Sequence, residues 1–286
     1  MPTFETPKPI TATVHLESGT VRIIASQRTD TVVEVHPASA AEADVQAAQQ
    51  TRAGCTSGKL MVKTPKGRVL NGAPGRVRVE IALPQGSRLN ATAARGSVTC
   101  AGAMGECGVT VQDGDIRIEQ AGAVQLRTHN GDITVVRTGD AEIATGSGEL
   151  RIGAVVGTAV IKNSDGLTQL DEITGEAQLK TGEGTVSIGI ARAAVTATCA
   201  TGDICIDEAH GRVDLRTRVG NIQVGIPEGT AAWLDADAQA GTIHRMLDTA
   251  DGTGESGASV DVRVRTSSGD IVVHRAQRAP LARPGL

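Results

Sequence analysis

Apolar residues recur along this chain at alternate positions, in short phrases that open two residues after a glycine. Counted from Gly96, Gly114, Gly131, Gly148, Gly184, Gly202 and Gly220, the second and fourth following positions read Val98 and Cys100, Ile116 and Ile118, Ile133 and Val135, Leu150 and Ile152, Val186 and Ile188, Ile204 and Ile206, Ile222 and Val224. A period of two is the signature of a strand with one face turned to a core. Between the glycines lies a second alternating phrase, including Cys107 and Val109, Val124 and Leu126, Ala141 and Ile143, Ala159 and Ile161, Val213 and Leu215. Each unit therefore carries two short strands. With Gly166 included, the glycines are spaced by 18, 17, 17, 18, 18, 18 and 18 residues.

A unit this short cannot bury its apolar face alone, so neighbouring units must stack. Because each strand keeps its offset, the economical arrangement stacks equivalent strands in parallel around an aliphatic core. The pattern predicts an all-β chain: a right-handed parallel β-solenoid or β-helix with 17–18-residue coils and one short helix near the N-terminus. An antiparallel sandwich or meander is the competing arrangement. A column of Thr128, Thr145, Asn163, Thr181, Cys199, Thr217 and Thr266 precedes the glycine corners, placed to bond along a ladder or to corner amides.

The ends depart from the repeat. Residues 10–35 alternate as two strands, with Gly19 echoing the unit and Pro37 stopping it. Ser39 stands three residues before Glu42, a capping-box spacing that opens an Ala-rich helix running to Arg52 and closing at Gly54. This helix is placed to cover the open end of the stack. Beyond Gly220 the spacing loosens to 21 and 28 residues, through Gly241 and Gly269, with a loop over Asp248–Ser259. Residues 1–275 are thus expected to form one β-solenoid domain, with irregular N-terminal strands and the capping helix over 10–95 and stacked coils over 96–275. A flexible tail follows over 276–286.

Composition narrows the picture. Hydrophobic residues make up 40% of the chain, yet Phe4 and Trp233 are its only aromatic residues, so the core must be aliphatic and narrow. A net charge of -4 gives no basic field for nucleic acid or an acidic membrane, and no run approaches the ~20 apolar residues of a membrane span. The five cysteines, an odd number without metal-type spacing, and an N-terminus without an export signal point to a reducing cytoplasm.

The phrases Ala141-Glu142-Ile143-Ala144-Thr145-Gly146-Ser147-Gly148-Glu149-Leu150 and Val262-Arg263-Val264-Arg265-Thr266-Ser267-Ser268-Gly269-Asp270-Ile271 resemble the Val-x-Val-x-Thr-x-Ser-Gly-Asp-Ile repeat of the bacterial putative-adhesin family. Val79-Glu80-Ile81-Ala82-Leu83-Pro84-Gln85-Gly86-Ser87 is similar to the same family. The resemblance covers nearly the whole chain. It implies a β-helix-like repeat fold and an adhesive surface role, and it supplies no catalytic residues.

Candidate chemistry is sparse. An acidic column follows the corner glycines as Asp115, Asp132, Glu149, Asp203 and Asp270, interrupted by Leu167 and Thr185. Its residues suit turn chemistry better than a calcium roll, whose ligands recur in adjacent turns. Gly252-Thr253-Gly254-Glu255-Ser256-Gly257 matches a dinucleotide pattern without the strand and helix that pattern needs, and reads as a loop. The six histidines share no metal spacing, and Cys199 and Cys205 read as buried packing rather than a redox pair. Arg127, Lys162, Lys180 and Arg216 fall on one outward strand face, interrupted by Ala144 and Thr198, as a modest basic stripe. No catalytic, cofactor-binding or metal-binding residue is assigned, and no cofactor is expected. The sequence points to a non-enzymatic scaffold that presents a repetitive surface to a protein or polymer partner, with self-association possible through the solenoid ends. The alternative is a β-helical carbohydrate-active lyase or hydrolase, whose mark is a cleft holding two carboxylates and a basic residue; Asp171 and Asp207 are acids that stacking can bring near others.

Overall fold

The computed structural model describes residues 2–65, 75–247 and 259–276. The expected loop at 248–258, including the Gly252–Gly257 pattern, and the tail from 277 onward lie outside the described residues. The chain is all-β with one helix. Its first part contains β1 (Thr3–Glu5), β2 (Thr11–Ser26), β3 (Asp30–Pro37), α1 (Glu42–Gln50), β4 (Arg52–Thr56), β5 (Lys59–Lys63) and β6 (Val77–Pro84). Three long strands follow, β7 (Arg88–Asp113), β8 (Ile116–Asn130) and β9 (Ile133–Ser147). Next come β10 (Leu150–Val155), β11 (Ala159–Asp165), β12 (Thr168–Ile173), β13 (Ala177–Glu183), β14 (Val186–Ala191), β15 (Val195–Thr201), β16 (Ile204–Ala209), β17 (Val213–Val219) and β18 (Ile222–Ile226). The chain closes with β19 (Ala231–Ala240), β20 (Ile243–Met246), β21 (Ser259–Ser268) and β22 (Ile271–Arg275).

Apart from β1, β3 and β4, which pair antiparallel, these strands stack in parallel and form two facing walls. In one wall Ile143 pairs with Ile161, Ile161 with Leu179, Leu179 with Ala197 and Ala197 with Leu215. In the other Val135 pairs with Ile152, Ile152 with Leu170, Leu170 with Ile188 and Ile188 with Ile206. Identical offsets pair throughout, which excludes the antiparallel sandwich for this region. The inward residues of both walls are buried and together make one aliphatic core. At ~25 cal/mol per Å² of apolar surface, this continuous burial drives the stacking.

The glycine corners hold the rungs together. Gly148 has φ +145, and a Cβ there would drive into the carbonyl oxygen of Gly131 on the rung before. The corner column thus needs glycine for its backbone conformation and for the closeness of the stack. Beside it the threonine column bonds to neither of its expected partners. Thr217 and Thr266 donate to the carbonyls of Gly202 and Gly220, at 3.0 and 2.9 Å, and Thr128 reaches Gly114 at 3.3 Å. Cys199 makes the equivalent thiol contact with Gly184. These side chains tie their rungs to the carbonyl of the corner before, and Thr128 and Thr217 also donate to the Asn130 and Val219 carbonyls of their own rung, at 3.2 and 3.4 Å. Thr145 and Thr181 are buried in the same column without such a partner.

Both ends depart from chain order. At the N-terminal end β2 lies between β7 on one side and β5 and β6 on the other, so Gly19 stacks against Gly96 although 77 residues separate them. The edges of β6 and β5 are covered by antiparallel β3 and β4, not by the helix. An open strand edge needs N–H and C=O partners, which another strand supplies and a helix, internally bonded, does not. Helix α1 instead packs against β3 and β6. Its capping box does not form: the N-cap is Ala41, and the Ser39 hydroxyl donates to Asp44 at 2.6 Å. Gly54 lies within β4 rather than closing the helix.

At the C-terminal end β21 and β22 insert between the β17–β18 rung and the β19–β20 rung. Val262, Val264 and Thr266 of β21 are fully buried, whereas β19 offers Ala232, Leu234, Ala236 and Ala238, which are only partly buried. The strand with more apolar volume takes the interior slot, where burial gains most. Gly269 therefore stacks on Gly220, and Gly241 on Gly269.

Candidate functional site

The outward face of the first wall carries the basic stripe, and stacking aligns it. The register runs Arg127, Ala144, Lys162, Lys180, Thr198, Arg216, Arg265 and Asp237 on successive rungs. The four stripe residues read from the sequence thus share one column. Two cations escape that reading. Arg265 is 49 residues from Arg216 in the chain and becomes its neighbour because β21 is inserted; its position immediately before Thr266 was the signal that aligned it. Arg218 lies two residues beyond Arg216 on the same strand, exposed to solvent. With Lys162, Lys180 and Arg216, but not Arg127, these two line an open groove of about 830 Å³ that also includes Gly182 and Ala200. Small residues beside the cation column leave this space.

Several of these cations are already paired. Arg127 bonds Glu142 at 2.9 Å, Arg216 bonds Asp214 at 3.1 Å and Arg265 reaches Asp235 at 3.4 Å. The Gln125 amide and the Arg127 guanidinium hold the Glu142 carboxyl below the usual glutamate range. Among the described residues Lys162, Lys180 and Arg218 form no ion pair. Asp165 and Glu183 stand on the corner side of the groove, and Asp237 lies at its far end.

The acidic column forms a second array. Asp115 Oδ1 accepts the amide of Asp132 at 2.9 Å, and Asp132 Oδ1 that of Glu149 at 2.8 Å. Asp203 accepts the Asn221 amide at 2.7 Å, Asn221 that of Asp270 at 2.9 Å, and Asp270 that of Thr242 at 2.8 Å. The side chains act as turn acceptors as expected, but the amide each receives belongs to the next rung. The Thr242 amide and hydroxyl lower the Asp270 carboxyl below the ordinary aspartate value, and Thr158 does the same for Asp140. No group of three or more His, Cys, Asp or Glu side chains is arranged to hold a metal among the described residues.

A hollow of about 240 Å³ gathers Asp115, Asp132 and Glu149 with Arg117 and Arg151. Its composition meets the mark set for a carbohydrate-active cleft. Its carboxylates, however, are already engaged: Asp115 and Asp132 accept amides of the corner ladder, and the Glu149 carboxylate accepts from Arg151 at 2.7 Å. Asp171 and Asp207 do not meet, because Gly189 stands on the rung between them, a separation of ~9.6 Å over two rungs.

All five cysteines are free thiols. Cys100, Cys107 and Cys199 are buried, but Cys205 lies between the inward Ile204 and Ile206, so it faces outward and is only half-buried. Cys199 and Cys205 are therefore not a buried pair: Cys205 is one residue from the inward Ile204 and Ile206 of its own strand, and that alternation turns it to the opposite face. Burial, then Asp207, pushes the Cys205 thiol up to about 11. Cys100 is raised by the adjacent Cys107 thiol and by burial.

The family model of Toastrack DUF4097 matches residues 11–274, from the first long strand to the last strand in chain order. The chain belongs to the Toastrack DUF4097 family. No curated protein matches the sequence. Among solved structures, the Toastrack chain is similar to a putative adhesin from Parabacteroides merdae at 12% identity, covering 79% of this chain and 94% of that one with a TM-score of 0.49. A putative adhesin from Bacteroides fragilis matches at 10% identity over 95% of each chain, with a TM-score of 0.33. A putative cell adhesion protein from Clostridium sporogenes matches at 9% identity over 96% of this chain and 98% of that one, with a TM-score of 0.24. No helix of this Toastrack chain, among the described residues, is long and apolar enough to cross a membrane.

Proposed function

We propose that this Toastrack protein is a non-enzymatic, right-handed β-solenoid scaffold of 17–18-residue coils that presents a repetitive, adhesin-like surface to a protein or polymer partner. The observation that carries this reading is the column of cations aligned rung by rung along an open groove. A surface repeated along one axis suits a partner that is itself extended. The five free thiols favour a reducing compartment, the cytoplasm. The second reading, a β-helical carbohydrate-active enzyme, draws on the Asp115–Asp132–Glu149 hollow. Against it stand the ladder bonds of Asp115 and Asp132, the Arg151 pair of Glu149 and the absence of an aromatic platform in the hollow.

The two readings separate in one assay. The protein is incubated with a panel of neutral and acidic polysaccharides, and both retention and new chain ends are measured. The scaffold reading expects retention without new ends, unchanged in a variant carrying Asp132→Asn and Glu149→Gln. New chain ends that vanish in that variant would establish the enzyme instead.

A further inference from the structure

We propose that the groove crossing the Lys162, Lys180 and Arg216 rungs binds a linear acidic polysaccharide, laid along the stacking axis with its carboxylates on the cation column. This inference rests on the scaffold reading and gives it a ligand class.

Length excludes a small anion. From Lys162 to Arg265 the column crosses four rung intervals, ~19 Å at ~4.8 Å per rung. No single phosphate or carboxylate spans that, so a ligand that uses the column must be a polymer. Charge selects an anion: Lys162, Lys180 and Arg218 project from the groove without an ion-pair partner among the described residues. Arg216 and Arg265, each shared with an aspartate, extend the positive line at its C-terminal end.

Spacing selects the class of polymer. Lys162 and Lys180 stand one rung apart, as do Arg216 and Arg265, while Thr198 leaves a two-rung step between Lys180 and Arg216. Successive residues of a twofold 1,4-linked uronic acid turn their carboxylates to opposite sides, so carboxylates on one side recur every second residue, at about two rungs (~9.6 Å), the step from Lys180 to Arg216. An extended acidic peptide repeats its same-face side chains every ~6.8 Å and drifts out of step. A nucleic-acid single strand needs aromatic side chains on which bases stack, and none lines the groove. Polar side chains complete the fit: the exposed Ser164, Thr198 and Gln239 and the half-buried Ser267 can bond sugar hydroxyls.

The test uses the full chain and polygalacturonate as probe, with dextran, polyglutamate and oligothymidylate as comparison polymers, measured by calorimetry. Polygalacturonate should bind at 0.1 M salt, where charges act over about 10 Å, and release at 1 M, where they act over about 3 Å. The combined variant Lys162→Ser, Lys180→Ser and Arg218→Ser should weaken binding at least about tenfold. All three side chains are exposed, and an unchanged melting temperature would verify that the variant folds. A second triple variant, Arg22→Ser, Lys59→Ser and Arg78→Ser, removes the same charge from the other end of the molecule and should bind within about twofold of the parent. Equal loss in both variants, no binding of polygalacturonate, or tighter binding of dextran, polyglutamate or oligothymidylate would overturn the proposal. Parent-like binding by the groove variant would refute the groove and leave the scaffold reading standing. Cleavage of the polymer would refute the scaffold reading, and the two variants would still decide whether the groove holds it.

Discussion

At the residue scale the corner glycine decides whether rungs can stack. Gly148 takes φ +145, costly for any L side chain, and its missing Cβ leaves room for the carbonyl of Gly131. Gly148→Ala should cost about 2 kcal/mol or more, since a strained backbone alone costs about 1–3 kcal/mol and the clashing neighbour is backbone that cannot move aside. Gly54 has an ordinary φ and open space around it, so Gly54→Ala should stay within about 1 kcal/mol of the parent. Denaturant midpoints of the two variants check this, and equal midpoints would remove the corner from the account. The column of glycines was legible in the sequence as a spacing. The identity of the atom that excludes a side chain was not, because it belongs to a residue 17 positions away.

At the scale of the element, chain order and stacking order part company at both ends. A reading in sequence order places β19 inside the array and β21 at its end, whereas the pairing reverses them. The consequence is measurable. Val264→Ala should destabilise more than Leu234→Ala, although leucine loses more volume, because Val264 is fully buried between two rungs and Leu234 lines the half-open last one. If chemical denaturation ranked Leu234→Ala as the more damaging, the inserted rung would be wrong. The same displacement explains the candidate site. Four members of the basic stripe were readable from their common offset, but Arg265 joins Arg216 only through the insertion. The helix shows the converse: its existence was legible from Ala-rich composition, but its cap and its role were not. Ser39 found a better partner in Asp44, whose carboxyl it holds below the ordinary aspartate value together with the Arg76 amide.

At the scale of the whole molecule the two ends differ. The N-terminal end is closed by antiparallel strands, while at the other end β19 pairs only with β21 among the described residues. Trp233 is 76% exposed on that last rung, with Met246 61% exposed nearby in chain order on β20. Self-association through the solenoid ends, if it uses this rung, is opposed by Asp235 and Asp237, charges that blunt an open edge. Raised salt should therefore favour it by screening them. Emission from Trp233, the sole tryptophan, should move to the blue as protein concentration rises in high salt, and Trp233→Ser should weaken association measured by sedimentation. Emission independent of concentration would exclude this end as the contact.

By itself the sequence determined the strand period, the parallel stacking of equivalent offsets, the aliphatic core and the glycine corners. All of these are local or strictly periodic, so each unit repeats the same physical instruction. Only the tertiary structure decided which rung lies beside which at the ends, because strands of similar offset compete for one slot and the apolar volume they bury settles the outcome. It likewise decided that the Asp115, Asp132 and Thr217 side chains reach the neighbouring rung. A rung ~4.8 Å away brings a partner within reach that lies a full unit away along the chain.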